Sequence, residues 1–191
     1  ATPLARVPWN EPGLLMKLLD AGAYGLICPM INSKRDCEAF IGACRYPPIG
    51  WRSFGPNRVV QYAGSDYWQH ANREVLLLAQ VETAEAVSGI DGILEVPGLD
   101  GIYVRPGDLS LSMGAPPSMA PDAPDVLDAM AHVCQKARSR SLIAAVHTDG
   151  AQTALKRYAE GFQFCSVQTD MRLLINAAKA TVAAVKAGSP V

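Results

Sequence analysis

Apolar residues along the chain fall into short runs, separated by stretches whose apolar positions repeat at helical spacing. Leu4–Val7 is a brief apolar run holding one arginine and closed by Pro8. Asn10 is placed to cap a helix, with Pro12 in its first turn and Leu14, Leu15, Leu18 and Leu19 as one stripe to about Ala21. Gly25–Met30 (GLICPM) reads as the next strand, and Ser33 with Asp36 opens a helix whose Ala39, Phe40 and Ala43 face inward. Tyr46–Asn57 is rich in proline and glycine and reads as a structured loop, with Trp51–Phe54 as its one strand-like stretch. Asp66 is placed to cap a helix reaching Asn72.

The second half repeats the alternation. Val75–Glu82 (VLLLAQVE) is almost wholly apolar, the pattern of a strand buried on both faces of a parallel sheet, and Thr83–Leu94 follows as a helix. Gly101–Pro106 (GIYVRP) is a strand, Gly107–Gly114 a short polar turn, and Pro124–Arg140 a helix with Val126, Leu127, Met130 and Val133 on one side. Leu142–His147 and Phe164–Gln168 are strands, followed by helices at Gly150–Ala159 and Met171–Ala187. Strands separated by helices, with no hairpin signal, imply right-handed parallel crossovers and an α/β fold.

Two architectures fit this order. An open doubly wound sheet accommodates six strands, but no G-x-G-x-x-G follows the first of them. A (β/α)₈ TIM barrel needs eight strands and typically ~250 residues. The 191 residues look two β-α units short of it. The expectation is a single barrel domain over residues 1–191 with N-terminal β-α units missing from the sequence.

Composition narrows the class of function. Apolar residues make up 49% and charged ones 18%, ample for a packed core and too apolar for disorder. The formal charge of −1, from 17 basic and 18 acidic residues without a like-charge run, argues against nucleic-acid and membrane-surface partners and favours a small polar ligand. No apolar stretch approaches the ~20 residues of a spanning helix, and Ala1–Pro8 lacks the features of a secretion signal. Cys28, Cys37, Cys44, Cys134 and Cys165 are odd in number, without C-x-x-C spacing, and lie in apolar segments. They read as reduced hydrophobic residues of a cytoplasmic protein rather than as a zinc or redox site.

In a parallel α/β fold ligands bind beyond the carboxyl ends of the strands. There the apolar runs end in Arg6, Gln80 with Glu82, Arg105 with Asp108, His147, and Gln168 with Asp170. Gln80 and Glu82, two apart, share a strand face with Leu76 and Leu78, where an unpaired carboxylate costs several kcal/mol. Asp108 lies just past the next strand, about 4.8 Å away if the two pair. The two carboxylates suit a hard divalent cation such as Mg²⁺ or Mn²⁺. Equally, Glu82 suits a helix cap and Asp108 a Pro-Gly-Asp turn, and spacing leaves both readings open. Arg6 suits an anionic ligand or an ion pair with Asp20, and His147 a base, a metal ligand or a structural hydrogen bond. His70 and His132 fall on solvent-facing helix positions. Serine hydrolase, zincin and P-loop motifs are absent.

The segments Leu4–Pro12 (LARVPWNEP), Leu18–Met30 (LLDAGAYGLICPM), Tyr46–Pro56 (YPPIGWRSFGP), Ala79–Thr83 (AQVET), Leu99–Ser110 (LDGIYVRPGDLS) and Phe164–Leu174 resemble, in order, the class II pyruvate aldolases. This is the 4-hydroxy-2-oxoheptanedioate aldolase family, kin to the citrate lyase β chain and macrophomate synthase. The resemblance implies a metal-dependent (β/α)₈ barrel that cleaves 4-hydroxy-2-oxo acids to pyruvate and an aldehyde. The implied cation is Mg²⁺ or Mn²⁺, with Co²⁺ or Zn²⁺ as alternatives, and the implied assembly is a homo-oligomer, trimer or hexamer.

By the same resemblance Glu82 and Asp108 match the metal ligands and Gln80 a substrate-site residue. Arg6 matches the arginine beside the pyruvyl oxygen, and Asp20 the aspartate that pairs with the catalytic histidine. Arg105, Pro106 and Gly107 fall in the substrate-binding turn, where the amides of Gly107 and Asp108 match those that hold the pyruvate carboxylate. Two departures stand out. The histidine base belongs to a strand upstream of Arg6, at a position that neither His70 nor His147 occupies. Arg105 also stands where the family has glycine, adding a cation for a substrate acid or obstructing the pocket. Two other readings stand beside this one: within the superfamily, a CoA-thioester lyase acting on malyl or citramalyl groups, and, from the missing base and Arg105, an inactive binding or scaffold protein.

Overall fold

The computed structural model describes residues 1–188. Its elements in chain order are β1 (Leu4–Arg6), α1 (Pro12–Ala21), β2 (Gly25–Cys28), α2 (Lys34–Cys44), α3 (Val60–Ala63), α4 (Tyr67–Glu74), β3 (Leu76–Val81), α5 (Ala84–Ser88) and α6 (Ile90–Leu94). Then come β4 (Gly101–Val104), α7 (Pro106–Ser112), α8 (Pro124–Ser139), β5 (Ile143–His147), α9 (Ala151–Ala159), β6 (Phe164–Ser166) and α10 (Asp170–Gly188).

The six strands form one parallel sheet in the order β1-β2-β3-β4-β5-β6. A doubly wound sheet reverses its strand order at a switch point, whereas here every crossover advances in one direction. Right-handed crossovers then put the helices that connect the strands on one face, and the twisted sheet curls into a half-barrel. The α/β fold with barrel-like curvature expected from the sequence is present, and the doubly wound alternative is excluded.

The pleat divides the strand residues between two environments. Leu26, Cys28, Leu77, Ala79, Val81, Ile102, Val104, Ala144 and Val146 face the helices and join one large core with Leu15, Leu19, Phe40, Ile93, Met130 and Val133. Ile27, Leu78, Tyr103 and Ala145 form a small cluster on the concave face, with Phe164 packed against it. Only glycine fits at position 101, because a Cβ there would collide with the carbonyl oxygen of Ile143 on the neighbouring strand. All five cysteines are free and buried, and burial pushes the thiols of Cys37 and Cys44 up to about 12. Among the described residues no helix is long and apolar enough to cross a membrane.

Several local expectations are corrected. Helix α1 is capped by Glu11, whose carboxylate accepts from the amides of Gly13 (2.9 Å) and Leu14 (2.6 Å). Asn10 instead donates to the Asp36 carbonyl at 3.0 Å. The Ser33–Asp36 capping box forms as expected, but Ala39 is exposed while Phe40 and Ala43 are buried. Trp51–Phe54 forms no strand, and Asp66 makes no side-chain cap. Gly89 divides the Thr83–Leu94 helix into α5 and α6. The supposed polar turn after β4 is helix α7, because Pro106 at its first position and Asp108 in its first turn favour a helix start as much as a turn.

Candidate active site

The carboxyl ends of the six strands converge at one end of the half-barrel. At the end of β3, Glu82 is buried, with 5% of its surface exposed. Its Oε1 accepts from the Met30 amide at 2.8 Å and its Oε2 from Gln80 Nε2 at 2.6 Å. Met30, just past β2, holds a left-handed backbone (φ 55°), a conformation that costs a non-glycine residue about 1 kcal/mol or more and is concentrated at functional sites. Gln80 is fully buried, and its Oε1 has no hydrogen-bond partner. No ion pair reaches Glu82 among the described residues, so its charge is met by two hydrogen bonds and no cation.

Asp108 lies in the first turn of α7, its side chain 47% exposed, with Oδ2 3.0 Å from Arg105 Nε. Arg105 is thus directed onto Asp108, an arrangement that neither expectation for this cation anticipated. Its Nε–H nevertheless lies at an angle that forms no hydrogen bond. Pro106 and Gly107 are buried beside it, and a Cβ on Gly107 would meet Met119 Cε at 3.0 Å. The amides of Gly107 and Asp108, in the first turn of α7, have no intrahelical acceptor.

No cluster of three or more His, Cys, Asp or Glu side chains suited to a metal exists among the described residues. Glu82 and Asp108 are a two-carboxylate set on adjacent strand ends, the kind of site in which water and substrate oxygens complete the sphere of a hard cation. The uncompensated Glu82 and the orphaned Gln80 Oε1 fit such an ion. Arg105 is the one competitor for Asp108.

Arg6, at the end of β1, lines a cavity of about 470 Å³ on the concave face with Ile27, Tyr103, Arg105, His147 and Phe164. Arg6 and Arg105 therefore face one space. Asp20 does not join them. It lies in the last turn of α1, which runs back to the amino ends of the strands, where the Tyr24 backbone amide donates to the Pro3 carbonyl at 2.8 Å. Its Oδ1 accepts from Arg52 Nη2 at 2.6 Å, and Arg52 stacks over Tyr46 with 4.5 Å to the ring centroid. No Arg6–Asp20 ion pair forms among the described residues, because helix direction puts Asp20 at the opposite end of the sheet.

Sequence reasoning missed Tyr103 and Ser166. The Tyr103 hydroxyl lies 2.9 Å from His147 Nδ1 and 2.6 Å from Ser166 Oγ, and Ser166 Oγ lies 2.7 Å from the same nitrogen. Period-two reading of GIYVRP, which puts Tyr103 on the face of Arg105, was the available signal. Burial first, and then the neighbouring Arg105, hold the His147 imidazole below its ordinary value of 6.5. The unfolded chain therefore binds more protons than the folded one as pH drops below 6.5, and His147 contributes stability that is lost as pH falls through its folded pKa. An NMR titration of the imidazole should give a midpoint below 6.5, and His147→Gln should weaken the loss of stability between pH 7 and 5. A midpoint at or above 6.5 would contradict the assignment.

The family model described as HpcH/HpaI aldolase/citrate lyase matches residues 1–177. The chain belongs to this family. A hydroxypyruvate/pyruvate aldolase of Rhizorhabdus wittichii is 38% identical over 187 residues, covering 98% of the chain and 74% of that protein. A 5-keto-4-deoxy-D-glucarate aldolase of Escherichia coli is 31% identical over 184 residues, covering 93% and 69%. The crystal structure of an HpcH/HpaI aldolase from Desulfitobacterium hafniense superposes with a TM-score of 0.88 at 27% identity, over 98% of the chain and 73% of that one. A member of this aldolase family with such relatives is an enzyme, a carbon–carbon lyase acting on small molecules.

Proposed function

We propose that the protein is a divalent-cation-dependent aldolase that cleaves 4-hydroxy-2-oxo acids to pyruvate and an aldehyde and condenses them in reverse. The observation that carries this reading is Glu82, a buried carboxylate held by two hydrogen bonds and met by no cationic side chain among the described residues. A cation held by Glu82 and Asp108, with Mg²⁺ or Mn²⁺ best suited to oxygen ligands and Co²⁺ or Zn²⁺ as alternatives, would supply Lewis-acid polarisation of the 2-oxo group.

The chain's own residues supply the remainder. Gln80 and the Met30 amide fix the Glu82 carboxylate in one orientation. Arg6 directs a permanent positive charge into the cavity where negative charge develops on the pyruvyl oxygen, and such preorganised charge is worth several kcal/mol. The amides of Gly107 and Asp108 are donors for the substrate carboxylate, with buried Pro106 shaping the turn. Arg105, against Asp108, balances that carboxylate until a ligand binds. Asp20 takes no part in a site built from one chain.

The same proposal holds that residues 1–191 are one barrel domain whose further β-α units, with the histidine base, lie outside the present sequence. Two observations support it: β1 and β6 are both edges of the sheet, and the chain spans 74% of the first aldolase relative. A homo-oligomer, trimer or hexamer, is supported by α10, which buries no residue and exposes Leu173, Leu174 and Val185. Five free thiols suit the cytoplasm.

Pyruvate release from a 4-hydroxy-2-oxo acid, followed with and without EDTA, tests the reading. The expected result is release that chelation abolishes and Mn²⁺ restores. Chelator-resistant turnover would remove the cation from the account. Thioester cleavage without pyruvate release would favour the CoA-lyase alternative, and failure to bind Mn²⁺ with oxalate would favour an inactive scaffold.

A further inference from the structure

We infer that His147, oriented by Tyr103 and Ser166, is a specificity-determining residue that donates a hydrogen bond to an oxygen substituent on the aldehyde partner. The inference rests on the aldolase reading and assigns to the aldehyde half a part of the site distinct from Glu82 and Asp108.

Three adjacent strands bring the group together. Tyr103 on β4 sits opposite Ala145, and His147 on β5 sits opposite Ser166 on β6, all directed to the concave face. The three polar atoms close a triangle with sides of 2.6, 2.7 and 2.9 Å. The inferred arrangement has Nδ1 accepting from a hydroxyl of this triangle, which puts the single proton of a neutral ring on Nε2. No hydrogen bond within the described residues uses Nε2. His147 also lines both the 470 Å³ cavity and an adjoining one of about 270 Å³, which share Gln168 and Thr169.

A fixed donor facing such a space discriminates. A ligand that offers an oxygen satisfies it, and one that offers a methyl group leaves it unpaired. Location assigns the ligand half. The pyruvyl group belongs with Glu82, Asp108 and the α7 amides at the ends of β3 and β4, whereas His147 and Ser166 stand on the next two strands, successive strands being about 4.8 Å apart. With Arg6 of β1 also assigned to the pyruvyl oxygen, the side of the cavity left to the aldehyde carbons is that of β5 and β6, where the triangle lies.

Condensation of pyruvate with glycolaldehyde or with propanal, which differ by a hydroxyl against a methyl, tests the assignment in the full-length protein. The wild type should favour glycolaldehyde by about tenfold or more in kcat/KM. His147→Leu should erase most of that preference through a higher KM for glycolaldehyde, leaving propanal within about twofold. Tyr103→Phe, which keeps the ring and removes the orienting hydroxyl, should move the preference the same way and covers the case in which His147→Leu does not fold. Exchange of the pyruvate methyl hydrogens with D₂O should be unchanged in both variants. A preference retained in the variants, or never present in the wild type, would overturn the inference, as would equal losses on both aldehydes and in exchange. A wild type that exchanges no methyl hydrogen and forms no aldol would overturn the aldolase reading itself, and the inference with it.

Discussion

Glu82→Gln should lower kcat/KM for pyruvate release by about 10³-fold while leaving the fold intact. The activity loss follows from the proposed role. A carboxylate that holds a Lewis-acidic ion contributes roughly 4 kcal/mol of transition-state stabilisation, and each ~1.4 kcal/mol is tenfold in rate. The intact fold follows from the hydrogen bonds. The Met30 amide can still donate to the substituted side chain's oxygen, and rotation of the Gln80 amide brings its orphaned Oε1 to accept from the new NH₂ group. Thermal midpoints of the two proteins should agree within a few degrees. Wild-type turnover in the variant would mean that Glu82 is structural, and a collapsed thermal midpoint would mean that its charge holds the sheet end together.

Arg45→Met should cost about 3–5 kcal/mol of stability, the range measured when one partner of a buried ion pair is removed. Arg45 follows α2 and is 1% exposed, and every nitrogen of its guanidinium is used. Nε and Nη2 donate to the Gly98 carbonyl (3.2 and 2.7 Å), and Nη1 donates to the carbonyls of Asn72 (2.9 Å) and Val75 (2.8 Å). Nη2 also reaches Asp100 Oδ2 at 2.6 Å, and the same oxygen accepts from the Leu77 amide at 2.7 Å. One side chain thus ties the entries of β3 and β4 to the end of α4. Methionine fills the volume but leaves three carbonyls and a carboxylate short of donors. Denaturant unfolding should show a lower midpoint with an unchanged slope. Arg45→Lys, a point charge that cannot span the same acceptors, should recover only part of the loss. A change under 1 kcal/mol in Arg45→Met would show that water replaces the clamp.

The fold was legible in the sequence wherever burial is total. Strand β3, as LLLAQV, can lie only in the middle of a parallel sheet, and GLIC of β2 and IAAVH of β5 read the same way for the same reason. Legibility failed where one residue type serves two local structures. Pro106-Gly107-Asp108 satisfies a turn and the start of a helix alike, and the chain took the helix because Leu109 and Ser110 could be buried. Asn10 and Glu11 both carry oxygen acceptors, and the longer side chain captured the two free amides.

The candidate site was legible in part. Gln80 and Glu82 announce themselves as polar interruptions of an apolar strand, Arg6 and Asp108 as charged residues at strand ends, and the resemblance matched each to a role. Within one chain Asp20 lies at the amino ends of the strands, paired with Arg52, a position set by the direction of α1 that similarity along the sequence does not encode. The Tyr103–His147–Ser166 triangle joins residues 44 and 63 positions apart, so its members are ordinary strand residues until the register brings them together.

The central claim is that Glu82 and Asp108 form a cation site at which a 2-oxo acid is bound. Calorimetric titration of Mn²⁺ into the metal-stripped, full-length protein, with oxalate present as a mimic of the pyruvate enolate, tests it most directly. The account predicts one Mn²⁺ per chain, tighter in the presence of oxalate and lost in Glu82→Gln. Binding of equal strength in wild type and Glu82→Gln, or no binding in the wild type, would contradict it.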